Sequence, residues 1–384
     1  MFIVAYITYA LLYLARLNFS IALPLLNEEL GYSKFTLGLI AGAFSISYAI
    51  GQFIHGRLVD RYGPKKIILI GLIVSGIMNI LFSRINTLIL LIVVWAVNGY
   101  AQSTGWPAVV KLVSSRFKSE LGKIGGLFGS CFLVGNMVAW PILGYLVSNY
   151  GWRMVFTIPS IILIVLAVLF YLTVEEVEKT EAYNSKQIVN FKKLIFSKGL
   201  ATMTSVYILL QFVRSVFTLW APSYLFEKYR LPLDVAGYTA AVIPLGGIVG
   251  SLVSGWLSDY LEKSGRKLTI CVLTISLGFA IAAFHYASNI GLEVGVLSLF
   301  IVGFTLYGPH VIISTVIPME LDESYGGASV AGFIDGMGYF GSMLAESSTG
   351  WLIEAHGWSG AVTFCLTSTL LATILVAFLY EKKK

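Results

Sequence analysis

Gly56-Arg57-Leu58-Val59-Asp60-Arg61-Tyr62-Gly63-Pro64-Lys65-Lys66 interrupts two long apolar runs near the start of the chain. A related stretch, Gly255-Trp256-Leu257-Ser258-Asp259 followed by Gly265-Arg266-Lys267, does the same in the second half. Asp60 and Asp259 stand 199 residues apart in a chain of 384. Gly151-Trp152 and Gly357-Trp358 recur over 206 residues. Half the chain therefore repeats at about half its length, which is the mark of two parallel structural repeats.

Outward from these loops the sequence is apolar. It is 57% hydrophobic and 12% charged, against about 45–50% and 25% in an ordinary soluble domain. A helix that crosses a bilayer takes about 20 mostly apolar residues. Twelve such spans are predicted, near 3–26, 36–56, 66–83, 88–112, 124–147, 152–174, 199–226, 235–258, 267–288, 291–318, 326–350 and 357–380. The expected fold is an all-α membrane protein of twelve transmembrane helices in two pseudo-symmetric six-helix bundles. These are residues 1–174 and 199–384, joined by a polar cytoplasmic linker at 175–198 that holds Glu175, Glu176, Glu178, Lys179, Glu181, Lys192 and Lys193.

Charge placement sets the expected topology. The loops after even-numbered spans, the linker and the tail hold 18 lysines and arginines, and the remaining loops hold five: Lys34, Arg84, Arg153, Lys228 and Arg230. The positive-inside rule then puts both termini in the cytoplasm. The net charge of +6 is thereby a topological signal and not a nucleic-acid footprint. The first apolar run contains an arginine and is not read as a removable signal peptide. Minimal loops without targeting signals fit a monomer in a prokaryotic plasma membrane. Cys131, Cys271 and Cys365 lie in apolar runs with no metal spacing, so no metal or cofactor is expected. No phosphate loop, dinucleotide fingerprint or nucleophile motif is present, so the chain is not expected to be an enzyme.

Charges inside a bilayer are costly and mark function. Arg16 and Arg214 fall roughly 20 Å into the first and seventh spans at 1.5 Å per residue. They are 198 residues apart, which is the repeat period, so the repeat axis brings them together at a central cavity. Two guanidiniums that face one another require an anion, and their fork suits phosphate or carboxylate. The alternative is that each pairs with a buried acid, Asp335 or Glu346. Those two acids lie 11 residues apart, on one face of the eleventh span, and a carboxyl group removed from water can carry a proton. Both are candidates for proton coupling. Tyr13, Asn18, His310 and Tyr339 are candidate substrate ligands. Lys111 is expected to snorkel to the cytoplasmic end. Gly56, Asp60, Arg61, Gly63, Lys65, Asp259 and Arg266 are read as a cytoplasmic gate in which Asp60 pairs with an arginine or a helix N-terminus.

The Gly56 to Lys66 loop resembles the signature loop of the major facilitator transporters. Tyr13-Leu14-Ala15-Arg16-Leu17-Asn18-Phe19-Ser20, with Ala22 and Pro24, resembles the first helix of the organophosphate:phosphate antiporters. Val213-Arg214 followed by Trp220, Pro222, Tyr224 and Leu225 resembles their seventh helix, Gly105-Trp106-Pro107 their fourth, Gly303-Phe304 with Tyr307-Gly308-Pro309 their tenth, and Gly336 with Gly338-Tyr339 and Gly341 their eleventh. The resemblance implies that Arg16 and Arg214 bind the phosphoryl group. Two departures stand out: the family's fifth-helix histidine is Phe132 here, and a second-helix lysine is Gln52. His310 is the candidate substitute for the former.

The expected function is alternating-access exchange of an organophosphate, such as a sugar phosphate or glycerol phosphate, for inorganic phosphate. Arg16, Asn18 and Ser20, with Arg214-Ser215, also resemble the anion:cation symporters, so proton- or sodium-coupled transport of an organic carboxylate is the alternative. A transporter-like receptor or sensor is a third reading.

Overall fold

The computed structural model describes residues 2–116, 128–176, 197–261, 265–317 and 327–378. The side chains of Asp259 and Gly265 fall outside the described set, as do residues 177–196 of the expected linker and Lys382 to Lys384. So do positions 124–127, 318, 326 and 379–380 of the expected spans. Every described element is helical. The first four are α1 (Phe2–Leu30), α2 (Lys34–Tyr62), α3 (Pro64–Phe82) and α4 (Leu88–Val113).

The helix Cys131–Thr173 has 43 residues, about twice the length that crosses a bilayer. It breaks at Gly151, with φ 75°, into α5 (131–150) and α6 (152–173). The chain continues through α7 (Lys198–Tyr229), α8 (Leu233–Ser258), α9 (Gly265–Ala287) and α10 (Leu292–Val316). A final 52-residue helix, Gly327–Phe378, breaks at Gly357, with φ 68°, into α11 (327–356) and α12 (358–378). Ten apolar stretches, two of them doubled, make twelve crossings among the described residues. A Cβ at either Gly151 or Gly357 would meet nothing within 4 Å. Glycine is needed there for its left-handed backbone, not for space.

Helices α1 and α2 run in opposite directions, so each loop lies at one of two ends. The signature loop marks one end. The α1–α2 turn, just before Lys34, marks the opposite end. Elements from the two halves of the sequence pack directly: α2 on α11, α1 on α7 and α5 on α8. Close approach depends on missing side chains. A Cβ on Gly38 would sit 2.4 Å from the Glu346 carbonyl oxygen, and one on Gly237 would sit 2.6 Å from that of Trp140.

Proline loosens the central helices in a useful way. Pro222 in α7 has no N–H for the carbonyl of Thr218. Ser20 Oγ of α1 lies 2.9 Å from that oxygen and 2.7 Å from the Leu219 oxygen. A hydroxyl from one half thus satisfies backbone that proline exposes in the other.

Candidate anion site at the centre of the bundle

Helix α1 deforms just before Arg16: Ala15 has φ −91° and ψ 15°. Three side-chain amides converge on the carbonyl of Ala15, donated by Gln102 (2.9 Å), Asn98 (3.2 Å) and Asn79 (3.4 Å). Within a bilayer a released carbonyl needs such partners. The same Gln102 accepts from Arg16 Nε at 2.9 Å, so the device that stabilises the distortion also aims the guanidinium. Arg16 Nη1 donates to Tyr339 Oη at 2.9 Å, across the α1–α11 divide. Its guanidinium carbon lies 4.6 Å from the Tyr13 ring centroid and 4.8 Å from that of Tyr48. These are cation–π distances.

Arg214 is buried. Its Nη1 donates to Gln211 Oε1 at 3.2 Å and its Nη2 to Tyr13 Oη at 3.5 Å. Tyr13 therefore links the two arginines, offering its ring to one and its hydroxyl to the other. Arg16 Nη2 and Arg214 Nε have no hydrogen-bond partner. Ion pairs within 4.0 Å among the described residues are Lys34–Glu227, Lys66–Glu176 and Lys111–Asp60, and neither central arginine is in one. The acids proposed as their partners are engaged elsewhere. Asp335 accepts from Gln52 and Tyr207, each at 3.1 Å, and Glu346 accepts from Ser45 at 2.7 Å.

Arg16, Arg214, Tyr13, Tyr339, Gln211 and Glu346 line one cavity between α1, α2, α7 and α11. It has room for roughly four to six water molecules. Other expected residues lie behind it. Asn18 faces α3: its Nδ2 donates to Asn79 at 2.7 Å, and its Oδ1 accepts from the Phe19 N–H at 2.9 Å. It supports the helix and is not a cavity ligand. Asp335 is also absent from the lining. His310 meets the site through Gln211, to whose Oε1 its Nε2 donates at 2.7 Å. Its ring centroid is 5.8 Å from that of Phe132, which in turn stacks 5.6 Å beneath the Arg214 guanidinium.

Residues 5–346 match the Major Facilitator Superfamily. The chain belongs to that superfamily. It is 28% identical to the glycerol-3-phosphate transporter of Bacillus subtilis over 100% of this chain and 92% of the relative. It is 26% identical to a glucose-6-phosphate exchanger of Mus musculus, over 91% of this chain and 80% of the relative. A bacterial homologue of the human lysosomal transporter Spinster, solved inward-facing and occupied, shares the fold. The TM-score is 0.78 at 15% identity, covering 99% of this chain and 95% of that one.

In this member of the superfamily the signature loop closes on a lysine, not on the expected arginine or helix N-terminus. Asp60 lies 3.1 Å from Lys111 Nζ of α4, so Lys111 reaches the signature-loop end and is held there by the gate motif. Gly63, with φ 89°, turns the chain and Pro64 starts α3. Arg61 lies over the Tyr62 ring and Lys65 over the Tyr171 ring. Gly56 lies one turn before Asp60 within α2, and Arg266 is in the first turn of α9. At the opposite end, polar contacts tie α2 to α7 and α11, and α12 to α7. Lys34 pairs with Glu227 at 2.7 Å, Trp358 Nε1 donates to Glu227 at 3.1 Å, and the Phe35 N–H donates to Glu354 at 3.1 Å.

Sequence reasoning passed over the amides behind Arg16. Their signal was present: Ser75 and Asn79, and Asn98 and Gln102, are polar pairs four residues apart, on one face of each apolar helix.

Proposed function

We propose that the protein exchanges an organophosphate for inorganic phosphate across the membrane by alternating access, with the anion held between Arg16 and Arg214. The observation that carries this reading is the pair of arginines on one cavity, each with an unpartnered N–H and neither within 4.0 Å of a carboxylate among the described residues. Such donors suit the oxygens of a phosphoryl group. The relatives named above, a glycerol-3-phosphate transporter and a glucose-6-phosphate exchanger, support the substrate class. Helices 1–174 and 199–384 act as the two moving halves, joined through 175–198. An anion that neutralises both arginines lets the halves close, whereas a doubly positive cavity resists closure, so return requires a counter-anion. Tyr13 and Tyr339 orient the arginines, and His310 backs Arg214 through Gln211. The signature-loop end, both termini and the linker face the cytoplasm of a prokaryotic cell, on the strength of the lysine and arginine distribution. The working unit is a monomer without cofactor, metal or nucleic acid.

A second reading, proton-coupled symport of an organic anion, draws on Glu346, which lines the same cavity. One experiment separates the two. Purified protein is placed in liposomes that are preloaded with phosphate, or empty with an inward proton gradient, and uptake of labelled phosphate is followed. Uptake confined to loaded vesicles, and lost in Arg16→Ala and Arg214→Ala, supports exchange. Gradient-driven uptake into empty vesicles replaces exchange with symport. No uptake under either condition overturns the phosphate assignment.

A further inference from the structure

Glu346 is an odd residue to find in an anion site. It stands on α11 and lines the cavity beside Arg16 and Arg214, yet it lies farther than 4.0 Å from either guanidinium. A carboxylate there merely to neutralise the arginines would be in contact with them. Instead its position is set from α2. Gly38 lets α2 approach to where a Cβ would be 2.4 Å from the Glu346 carbonyl oxygen, and Ser45 Oγ donates to Glu346 Oε2 at 2.7 Å. Among the described residues no hydrogen bond reaches Oε1, and Glu346 is half-buried at the cavity wall.

When ionised, Glu346 can only accept hydrogen bonds. A tetrahedral oxyanion in this cavity then meets the guanidinium N–H donors and, at Glu346, a negative acceptor. Sulfate at neutral pH carries no proton, so against Glu346 it presents only negative oxygens. A phosphate group, free or esterified, can carry a P–OH, which donates to Oε1 while its remaining oxygens take the guanidinium N–H groups. A site built to accept a substrate hydroxyl rejects the isostere that lacks it, because a buried acceptor is then left facing a like charge. The room in the cavity, roughly four to six waters, suits a group of five heavy atoms. We infer that Glu346, in its ionised form, makes this cavity selective for a phosphate group that carries a proton, over oxyanions of the same shape that carry none. This rests on the phosphate reading of the site given above.

The test is competition. Wild-type protein, Glu346→Gln and Glu346→Asp are reconstituted in phosphate-loaded liposomes, and the sulfate concentration that halves labelled phosphate uptake is compared with the phosphate KM. The glutamine amide can donate to sulfate, so in Glu346→Gln sulfate gains on phosphate by about ten-fold or more. Glu346→Asp keeps the acceptor and stays near the wild-type ratio. An unchanged ratio in Glu346→Gln overturns the inference. So does a wild-type protein in which sulfate competes as well as unlabelled phosphate, a result that stands even if the variants do not fold. Absence of phosphate exchange in the wild type overturns the phosphate reading itself, whereas exchange with an unaltered sulfate ratio overturns only the role of Glu346.

Discussion

Replacing Gly38 by alanine adds one carbon at the α2–α11 seam. That carbon would lie 2.4 Å from the Glu346 carbonyl oxygen, 3.2 Å from its carbonyl carbon and 3.2 Å from Ser347 Cα. All three are backbone atoms, so no rotamer change relieves the clash. Ordinary contact starts near 3.4 Å, and the helices must separate locally by about 1 Å. A separation of that size takes the 2.7 Å Ser45–Glu346 bond beyond hydrogen-bonding range. Overpacking of this kind costs about 1–3 kcal/mol. The cost applies only while α2 and α11 are closed at the Lys34 end, so Gly38→Ala favours the form open at that end by about 5- to 150-fold. The assay is the reaction of a cavity cysteine, Ala41→Cys, with a membrane-impermeant maleimide applied from the Lys34 side. The expected result is faster labelling by that factor and slower exchange. Gly255→Ala is the control, because a Cβ there meets nothing within 4 Å. Labelling and exchange unchanged in Gly38→Ala, or equally changed in Gly255→Ala, would refute the close-packed seam as part of the switch.

Three further outcomes are expected. Arg16→Lys and Arg214→Lys keep the charge but lose the planar fork; each should lower kcat/KM for labelled phosphate by about 10- to 100-fold, one charged hydrogen bond being about 1.5–3 kcal/mol, and a wild-type value in either would remove that arginine from the site. Glu227→Gln breaks a partly exposed pair with Lys34, whose side chains keep 33% and 22% of their exposure, so its effect on labelling from the Lys34 side should stay within about five-fold and shrink in high salt. Asp60→Asn removes the acid partner of Lys111; steady-state exchange should slow while phosphate binding, measured by titration calorimetry, stays unchanged, and a large loss of affinity would contradict a gating role.

The limits of the linear reading show best on α11. Asp335 and Glu346 are three helical turns apart and share a face, so from the sequence they are equivalent. In the fold they stand at different depths, about 16 Å apart along the axis. Glu346 reaches the cavity, while Asp335 is tied behind it to Gln52 and Tyr207. Asn18 is a similar case. It sits two residues beyond Arg16, and helical geometry turns it toward Asn79 instead of the centre.

The sequence by itself determined the number of crossings, the repeat, and hence the meeting of Arg16 with Arg214. Each of these follows from hydrophobic length and from a fixed period, and both are properties of the chain in one dimension. Only the tertiary structure decided that Gln102 aims Arg16, that Tyr13 joins the two guanidiniums, and that no carboxylate among the described residues comes within 4.0 Å of either. Those facts depend on the rotation and depth at which separate helices pack. Glycine contacts and proline breaks far apart in the chain set that packing, and no local pattern encodes it.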